Sequence, residues 1–148
     1  MLESYTLMYK DVEVGIITYN QDLDKFEFVL NENIKDTKYL PPILYDYTNL
    51  SVDYKPGHEN VLYWVEDRVM PQNRDGVDYL LDKMGLNFYD AWNICKANKG
   101  MSLEDYWWLN NGEDEYEKCH IRYLLESGKQ TYFGRPIKYI FIQCKYFL

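Results

Sequence analysis

The side chains that most often carry catalysis are few and far apart in this sequence. Its two histidines are His58, which follows Pro56-Gly57, and His120, which follows Cys119. A cysteine nucleophile needs a base beside it, but successive residues of a helix point about 100° apart and do not face each other. We therefore expect no catalytic Cys–His pair and expect Cys119 to be a core residue.

Metal and phosphate chemistry are not indicated either. The cysteines and histidines lack the paired spacing of zinc sites, and neither a glycine-rich phosphate loop nor a kinase motif occurs. Carboxylate pairs such as Glu66-Asp67 are typical of exposed faces in a chain whose formal net charge is −8. The sequence predicts no catalytic site, no metal site and no cofactor.

The charge of the chain is unevenly distributed. Residues 118–148 hold six basic residues and one acidic residue, whereas the preceding residues are strongly acidic. An acidic body argues against direct nucleic-acid binding, because Lys and Arg make the contacts to phosphate. It suits either a solvated surface or a basic partner protein. Since neither a signal-peptide pattern nor a membrane-spanning apolar run occurs, we expect a cytoplasmic protein that does not engage a membrane.

The first third of the chain predicts strands. Short runs rich in β-branched and aromatic residues, separated by polar turns, occupy residues 7–9, 12–19 and 25–30. They indicate an antiparallel β-meander. Residues 39–44 contain two prolines and are expected to be extended, because a residue before proline avoids the α region.

The middle of the chain predicts helices. One covers residues 61–69, and a second, capped by Asn73, has apolar residues at helical spacing and ends at Gly85. A third helix starts near Asn87 and includes Phe88. It is closed by Gly100.

Two further helices are expected towards the end of the chain. Ser102 resembles the start of a capping box and should open a short helix that carries Tyr106, Trp107 and Trp108. A last helix covers about residues 114–127, with acidic residues in its first turn as the helix dipole prefers.

Strands at both ends with helices between them predict an α+β fold in one domain, residues 1–148. Residues 1–45 form the β-rich part, residues 60–128 the helical part, and residues 136–147 a C-terminal strand. If that strand lies at an edge of the sheet, it could pair with a copy of itself and form a homodimer.

Arg68 and Arg74 flank the break at Pro71, so both guanidinium groups could fold onto one helix–helix junction. Arginine pairs with a carboxylate through two parallel hydrogen bonds. We expect these arginines to tie helix ends to Asp or Glu. The alternative is that they bind a ligand.

Tyr106, Trp107 and Trp108 are consecutive, and three aromatic side chains on one short helix cannot all face inward. At least one is expected at the surface as a contact for a partner protein, unless the three wrap around a core. The acidic run that follows supplies four further candidate contacts, namely Glu113, Asp114, Glu115 and Glu117.

Two motifs in the middle of the chain carry a family resemblance. Trp64, Arg68, Pro71 and Arg74 have the spacing W-x-x-x-R-x-x-P-x-x-R, and after a helix ending in Gly-Leu comes Gly-Met-Ser-Leu-Glu-Asp-Tyr-Trp at residues 100–107. With the predicted first hairpin, these motifs resemble the N-terminal region of HipA-like serine/threonine kinase toxins. The resemblance covers roughly residues 5–110.

The chain departs from that family because it has no counterpart of the ATP-binding loop or the catalytic Asp. The resemblance therefore implies an accessory domain that contacts another protein, such as an antitoxin or a kinase core. We expect a non-enzymatic protein-binding or regulatory module of bacterial or phage origin, with a HipA-like kinase as one candidate partner. The alternative is an acidic inhibitor, encoded by a phage or mobile element, of a nucleic-acid-binding defence protein.

Overall fold

The computed structural model describes residues 1–46, 48 and 50–120. Over these residues the protein has an α+β fold with a four-stranded antiparallel sheet in the order β3-β2-β1-β4. The strands are β1 (Leu2–Tyr9), β2 (Val12–Asn20), β3 (Lys25–Leu30) and β4 (Trp107–Asn110). The helices are α1 (His58–Asp67), α2 (Val77–Met84), α3 (Ala91–Ala97) and α4 (Tyr116–Cys119), with a 3-10 turn at Thr37–Tyr39.

The predicted α+β class and the N-terminal meander are confirmed. The predicted strand over residues 136–147 and the part of the predicted last helix beyond residue 120 lie outside the described residues. None of the helices among the described residues combines the length and the apolar character that crossing a membrane requires.

β1 and β2 form a hairpin whose pairing runs from Leu2↔Asn20 to Tyr9↔Val12. Lys10 takes a left-handed backbone conformation, with φ of 53°, in the two-residue turn. The register shifts by one residue between Leu7 and Met8. At this bulge Val14 and Gly15 are both buried, which breaks the alternation expected of a strand.

The two faces of the sheet pack against different parts of the chain. Leu7 faces a core shared with α1 and α3, while its neighbour Met8 faces the opposite side, because successive side chains of a strand alternate. The larger core also includes Val14, Ile17, Phe26, Phe28, Val61, Trp64, Val65 and Ile94. The smaller one consists of Met8, Met101, Trp108, Tyr116 and Cys119.

Helix α2 begins later than its predicted cap. Asn73 lies in a turn, and Gly76, with φ of 80°, precedes the first residue of the helix instead. The predicted end at Gly85 is confirmed. This residue has φ of 76°, and its N–H donates to the carbonyl groups of Asp82 and Leu81.

Helix α3 is shorter than predicted at both ends. It begins after Asp90, whose carboxylate accepts a hydrogen bond from the N–H of Asn93 and so caps the helix. Phe88 therefore precedes the helix, contrary to the prediction that the helix includes it, and is 67% exposed. The helix ends at Ala97, and Gly100 closes the following turn with φ of 63°.

Two local predictions are wrong. Leu40 is extended before Pro41, as expected, but the chain then turns, and the N–H groups of Leu44 and Tyr45 donate to the Pro41 carbonyl. The helix predicted from Ser102 is replaced by turns and by β4. The physical reason is that a short polar side chain can stabilise a turn as well as cap a helix. Here the Ser102 hydroxyl accepts a hydrogen bond from the N–H of Glu104, only two residues ahead, and so stabilises a turn.

Candidate protein-contact site

Arg68 is buried at the C-terminal end of α1. Its Nη1 and Nη2 donate to the two carboxylate oxygens of Asp105 at 2.5 and 2.6 Å. Nε donates to the carbonyl of Gly100 and Nη2 to that of Trp107, both at 2.8 Å. The guanidinium also lies 5.0 Å from the centre of the Trp64 ring. The expectation that Arg68 ties a helix end to a carboxylate is confirmed.

Asn98 extends this network to the end of α3. Its side-chain amide donates to the carbonyl of Arg68 at 3.1 Å, and its Oδ1 accepts from the N–H of Gly100 at 2.8 Å. The C-terminal ends of α1 and α3 are thereby joined to the segment that leads into β4. Arg74 lies half-buried in the loop between α1 and α2, where its backbone N–H donates to the carbonyl of Pro71.

Trp107 and Trp108 lie on opposite faces of β4, because they are successive residues of a strand. Trp108 is fully buried, and its indole Nε1 donates to the carbonyl of Lys10 at 2.8 Å. Trp107 is half-buried on the other face, with Nε1 donating to the carbonyl of Tyr39 at 3.0 Å. Trp108 is therefore a core residue, as the alternative interpretation held.

Tyr106 precedes β4 and is half-buried. The ammonium of Lys10 lies 4.5 Å from the centre of its ring, and the Lys10 N–H donates to the Tyr106 carbonyl. The Tyr9 ring lies 6.0 Å away in an edge-on arrangement. Of the three consecutive aromatic residues, Tyr106 and Trp107 thus keep part of their surface in solvent.

The segment after β4 is held in a defined turn by one amide side chain. Asn110 Oδ1 accepts from the N–H groups of Gly112 and Asp114, while its Nδ2 donates to the Asp114 carbonyl. Lys99 forms an ion pair with the Asp114 carboxylate. These contacts place the start of α4 beside the turn that joins β1 and β2.

An acidic pocket of about 270 Å³ lies at this junction. Its lining combines apolar and aromatic residues with Asp114, Glu115 and Glu117, three of the four acidic residues predicted to contact a partner. The lining residues are Met8, Asp11, Trp108, Asp114, Glu115, Tyr116 and Glu117. Glu113 lies outside the lining, on the exposed turn.

The sequence did not point to Asp11 as a site residue. It belongs to the β1–β2 turn and is just over 100 residues from the acidic run, with no motif of its own. The Trp108 indole bonded to the Lys10 carbonyl brings that turn to the pocket. The pairing of β1 with β4 makes these two parts of the chain neighbours.

Within the part of the chain that the structure describes, two of the carboxylates of the pocket are paired with lysine side chains and two are not. Asp114 is paired with Lys99, and Glu115 with the exposed Lys118 at 3.2 Å. Asp11 and Glu117 are exposed and form no ion pair with another described residue. The pocket therefore retains negative charge towards solvent.

Among the described residues, no group of three or more His, Cys, Asp or Glu is arranged to hold a metal ion.

Cys95 and Cys119 are both buried, and Cys119 is in the smaller core as expected. Burial raises the pKa of the Cys95 thiol to about 12, against the opposing effect of Arg68 and Lys96. A thiol with so high a pKa is a poor nucleophile near neutral pH.

Comparison of the chain with protein-family models, curated proteins and solved structures found no match.

Proposed function

We propose that this protein is a non-enzymatic module that docks on a partner protein through the acidic pocket. The observation that carries this proposal is that four acidic residues and three apolar or aromatic residues line one concave site of about 270 Å³. Three of these carboxylates belong to the run that the sequence suggested as a contact region. Concave sites with an apolar body and a few convergent polar groups are typical of recognition.

The chemistry of the pocket favours a lysine or arginine side chain from the partner. The aliphatic stem of such a residue would pack near Met8 and Tyr116, while its charged head would meet Asp11 and Glu117 at the rim. Because the Asn110 turn and the Lys99–Asp114 ion pair hold the walls in place, little conformational entropy would be lost on binding.

The resemblance to HipA-like N-terminal regions makes a kinase of that class the first partner to test. The alternative, an inhibitor that imitates the charge of nucleic acid, needs a run of unpaired carboxylates. Lys99 and Lys118 partly neutralise two of the acidic residues in that run, Asp114 and Glu115. This pairing favours docking on a protein over imitation of a phosphate backbone.

Two charge reversals test the role of the pocket. Wild-type protein and the Asp11→Lys and Glu117→Lys variants would be titrated against a purified HipA-like kinase, or against a partner captured from the source cell. Both residues are exposed, so the variants should fold normally. We expect each reversal to lower affinity about tenfold or more, because like charges across an interface repel.

Glu59→Lys is the matched control. Glu59 is an exposed carboxylate on α1, and it is absent from the lining of the pocket, so the same change of charge there should leave affinity unchanged. Equal losses in all three variants would show a general charge effect and contradict the proposal. If nucleic acid displaced the protein from its partner, the inhibitor alternative would be favoured instead.

A further inference from the structure

Strand β3 lies at one edge of the sheet that residues 1–46, 48 and 50–120 form. The direction of its backbone groups can be deduced from the pairing with β2. In an antiparallel ladder, alternate residues point both N–H and C=O towards the neighbouring strand. Asn31, directly after β3, donates its N–H to the Val14 carbonyl of β2 at 2.8 Å. By alternation, Glu27 and Val29 also point their backbone groups towards β2.

The intervening residues of β3, Phe26, Phe28 and Leu30, therefore point their backbone groups away from β2. The N–H of Phe26 confirms this direction, because it donates to the imidazole Nδ1 of His58 at 3.0 Å. His58 therefore covers one end of the edge. The outward N–H and C=O groups of Phe28 and Leu30 form no hydrogen bond with another described residue.

The opposite edge of the sheet is closed. Along β4, the carbonyl of Trp107 accepts from Arg68, and the N–H of Leu109 donates to the carbonyl of Lys99 at 2.7 Å. Edge strands whose backbone groups are covered in this way resist pairing with a further strand. The contrast between the two edges singles out β3.

The outer face of the sheet beside Phe28 and Leu30 carries an exposed apolar pair. Ile16 and Val29 lie directly opposite each other on β2 and β3 and are 49% and 67% exposed. They line a cavity of about 230 Å³ together with Thr6, Glu13, Gly15, Leu30 and Asn31. Val29 is the member of this pair that lies on the edge strand, so an added strand would meet its side chain first.

Two carboxylates bracket this apolar pair. Glu13 lines the cavity, and Glu27 precedes Val29 by two residues and so lies on the same face of β3. Both are exposed, and neither forms an ion pair with another described residue. A segment that pairs with β3 would therefore be favoured by positive charge opposite Glu27.

We propose that β3 receives an extended segment of a partner protein as an additional strand of the sheet. The segment bonds to the outward backbone groups of Phe28 and Leu30. It places an apolar side chain beside Val29 and a lysine or arginine opposite Glu27. This surface is separate from the acidic pocket, so the inference goes beyond the proposed function and does not depend on it.

Hydrogen exchange in the free protein tests the first step. The outward amides of Phe28 and Leu30 should exchange rapidly, whereas the inward amides of Glu27 and Val29 should be protected, as measured by NMR. Because outward and inward amides alternate along the same strand, the amides of Glu27 and Val29 are internal controls for those of Phe28 and Leu30. Slow exchange at Phe28 and Leu30 would mean that the edge is already covered, and would overturn the proposal.

A designed peptide tests the second step. The probe is an acetylated, amidated peptide, TKTVTVTKT, in which lysine and valine share one face of an extended strand. We expect saturable binding by NMR titration and slower exchange of the Phe28 and Leu30 amides. Glu27→Lys should weaken binding about two- to fivefold, as for an exposed ion pair, whereas Glu117→Lys in the acidic pocket should leave it unchanged.

Three results would overturn the proposal. One is equal binding of a peptide with glutamate in place of lysine, and another is equal binding of a peptide with alternate backbone amides methylated. The third is a concentration-dependent dimer of the free protein, seen by sedimentation, that protects Phe28 and Leu30. In that case a second copy of the chain, and not a partner segment, would occupy the edge.

Discussion

The guanidinium of Arg68 and the carboxylate of Asp105 are 37 residues apart in the chain and form a forked ion pair at 2.5 and 2.6 Å. The pair joins the end of α1 to the segment that enters β4. Both residues belong to the motifs on which the resemblance to HipA-like proteins rests. In this protein those motifs therefore have a structural role, since they fix the strand that leads to the acidic pocket.

Breaking this pair should destabilise the fold strongly. Asp105→Asn leaves a buried arginine without its counter-charge, and we expect a loss of about 3 kcal/mol in the free energy of unfolding. Arg68→Lys should cost a similar amount, because an ammonium cannot reproduce four directed hydrogen bonds. Urea denaturation measures both. Glu104→Gln, at an exposed neighbouring carboxylate, is the control and should have little effect.

Gly15 should not tolerate a side chain. A Cβ at this position would lie 2.5 Å from both the Phe28 Cζ atom and the Val29 carbonyl oxygen. We expect Gly15→Ala to lower stability by about 1–3 kcal/mol, the usual cost of overpacking. Phe28→Leu in the same chain should relieve only part of the strain, because the carbonyl belongs to the backbone. A thermal melt of Gly15→Ala that matches the wild type would contradict this account.

The two adjacent tryptophans should respond differently to truncation. Trp108 is fully buried, so Trp108→Ala should cost about 3–5 kcal/mol in stability. Trp107 is half-buried, and Trp107→Ala should cost less. The midpoints of denaturant unfolding give the comparison. If both variants lost the same stability, the greater burial of Trp108 would be contradicted.

Acid should weaken the contact between β1 and α3. Burial alone would raise the pKa of Glu3, but hydrogen bonds from Lys96 and Gln21 outweigh it, so the pKa is lower than that of an ordinary glutamate. Because the pKa of Glu3 is lower in the folded protein than in the unfolded chain, its charged form stabilises the fold at pH values above the unfolded-state pKa. This stabilisation is lost as the pH falls through the folded-state pKa. Stability measured between neutral pH and about pH 3 should therefore fall less steeply in Glu3→Gln than in the wild type. Glu59→Gln should keep the wild-type slope.

Cys95 should react with thiol reagents only after unfolding. Its pKa is raised to about 12 by burial, so both access and thiolate formation are suppressed in the folded protein. Alkylation by iodoacetamide, mapped by mass spectrometry, should be undetectable at Cys95 in buffer and rapid in denaturing urea. Ready labelling in the native protein would show that this part of the core opens.

The sequence predicted well those elements whose signals are local. β2 and β3 follow directly from alternating β-branched and aromatic residues, and Gly85 marks the end of α2 because glycine takes positive φ without strain. The start of α2 was misplaced because Asn73 is an acceptable cap by type, whereas the chain turns once more through Gly76.

Strand β4 shows where local signals fail. Trp107 and Trp108 follow polar residues that suit a helix start, yet they pair with Tyr9 and Met8, about 100 residues earlier. Such pairing depends on contacts that no short window of sequence contains. The burial of Trp108 and the presence of Asp11 in the pocket both follow from this one pairing.

The sequence by itself thus determined the α+β class, the N-terminal meander and the acidic run, because composition and periodicity specify which residues form strands and which remain solvated. Tertiary structure alone decided which of those residues meet. It buried Arg68 against Asp105, separated Trp107 from Trp108, and brought the β1–β2 turn to the start of α4. The physical reason is that these contacts are long-range, and their free energy is gained only when the sheet closes and excludes water.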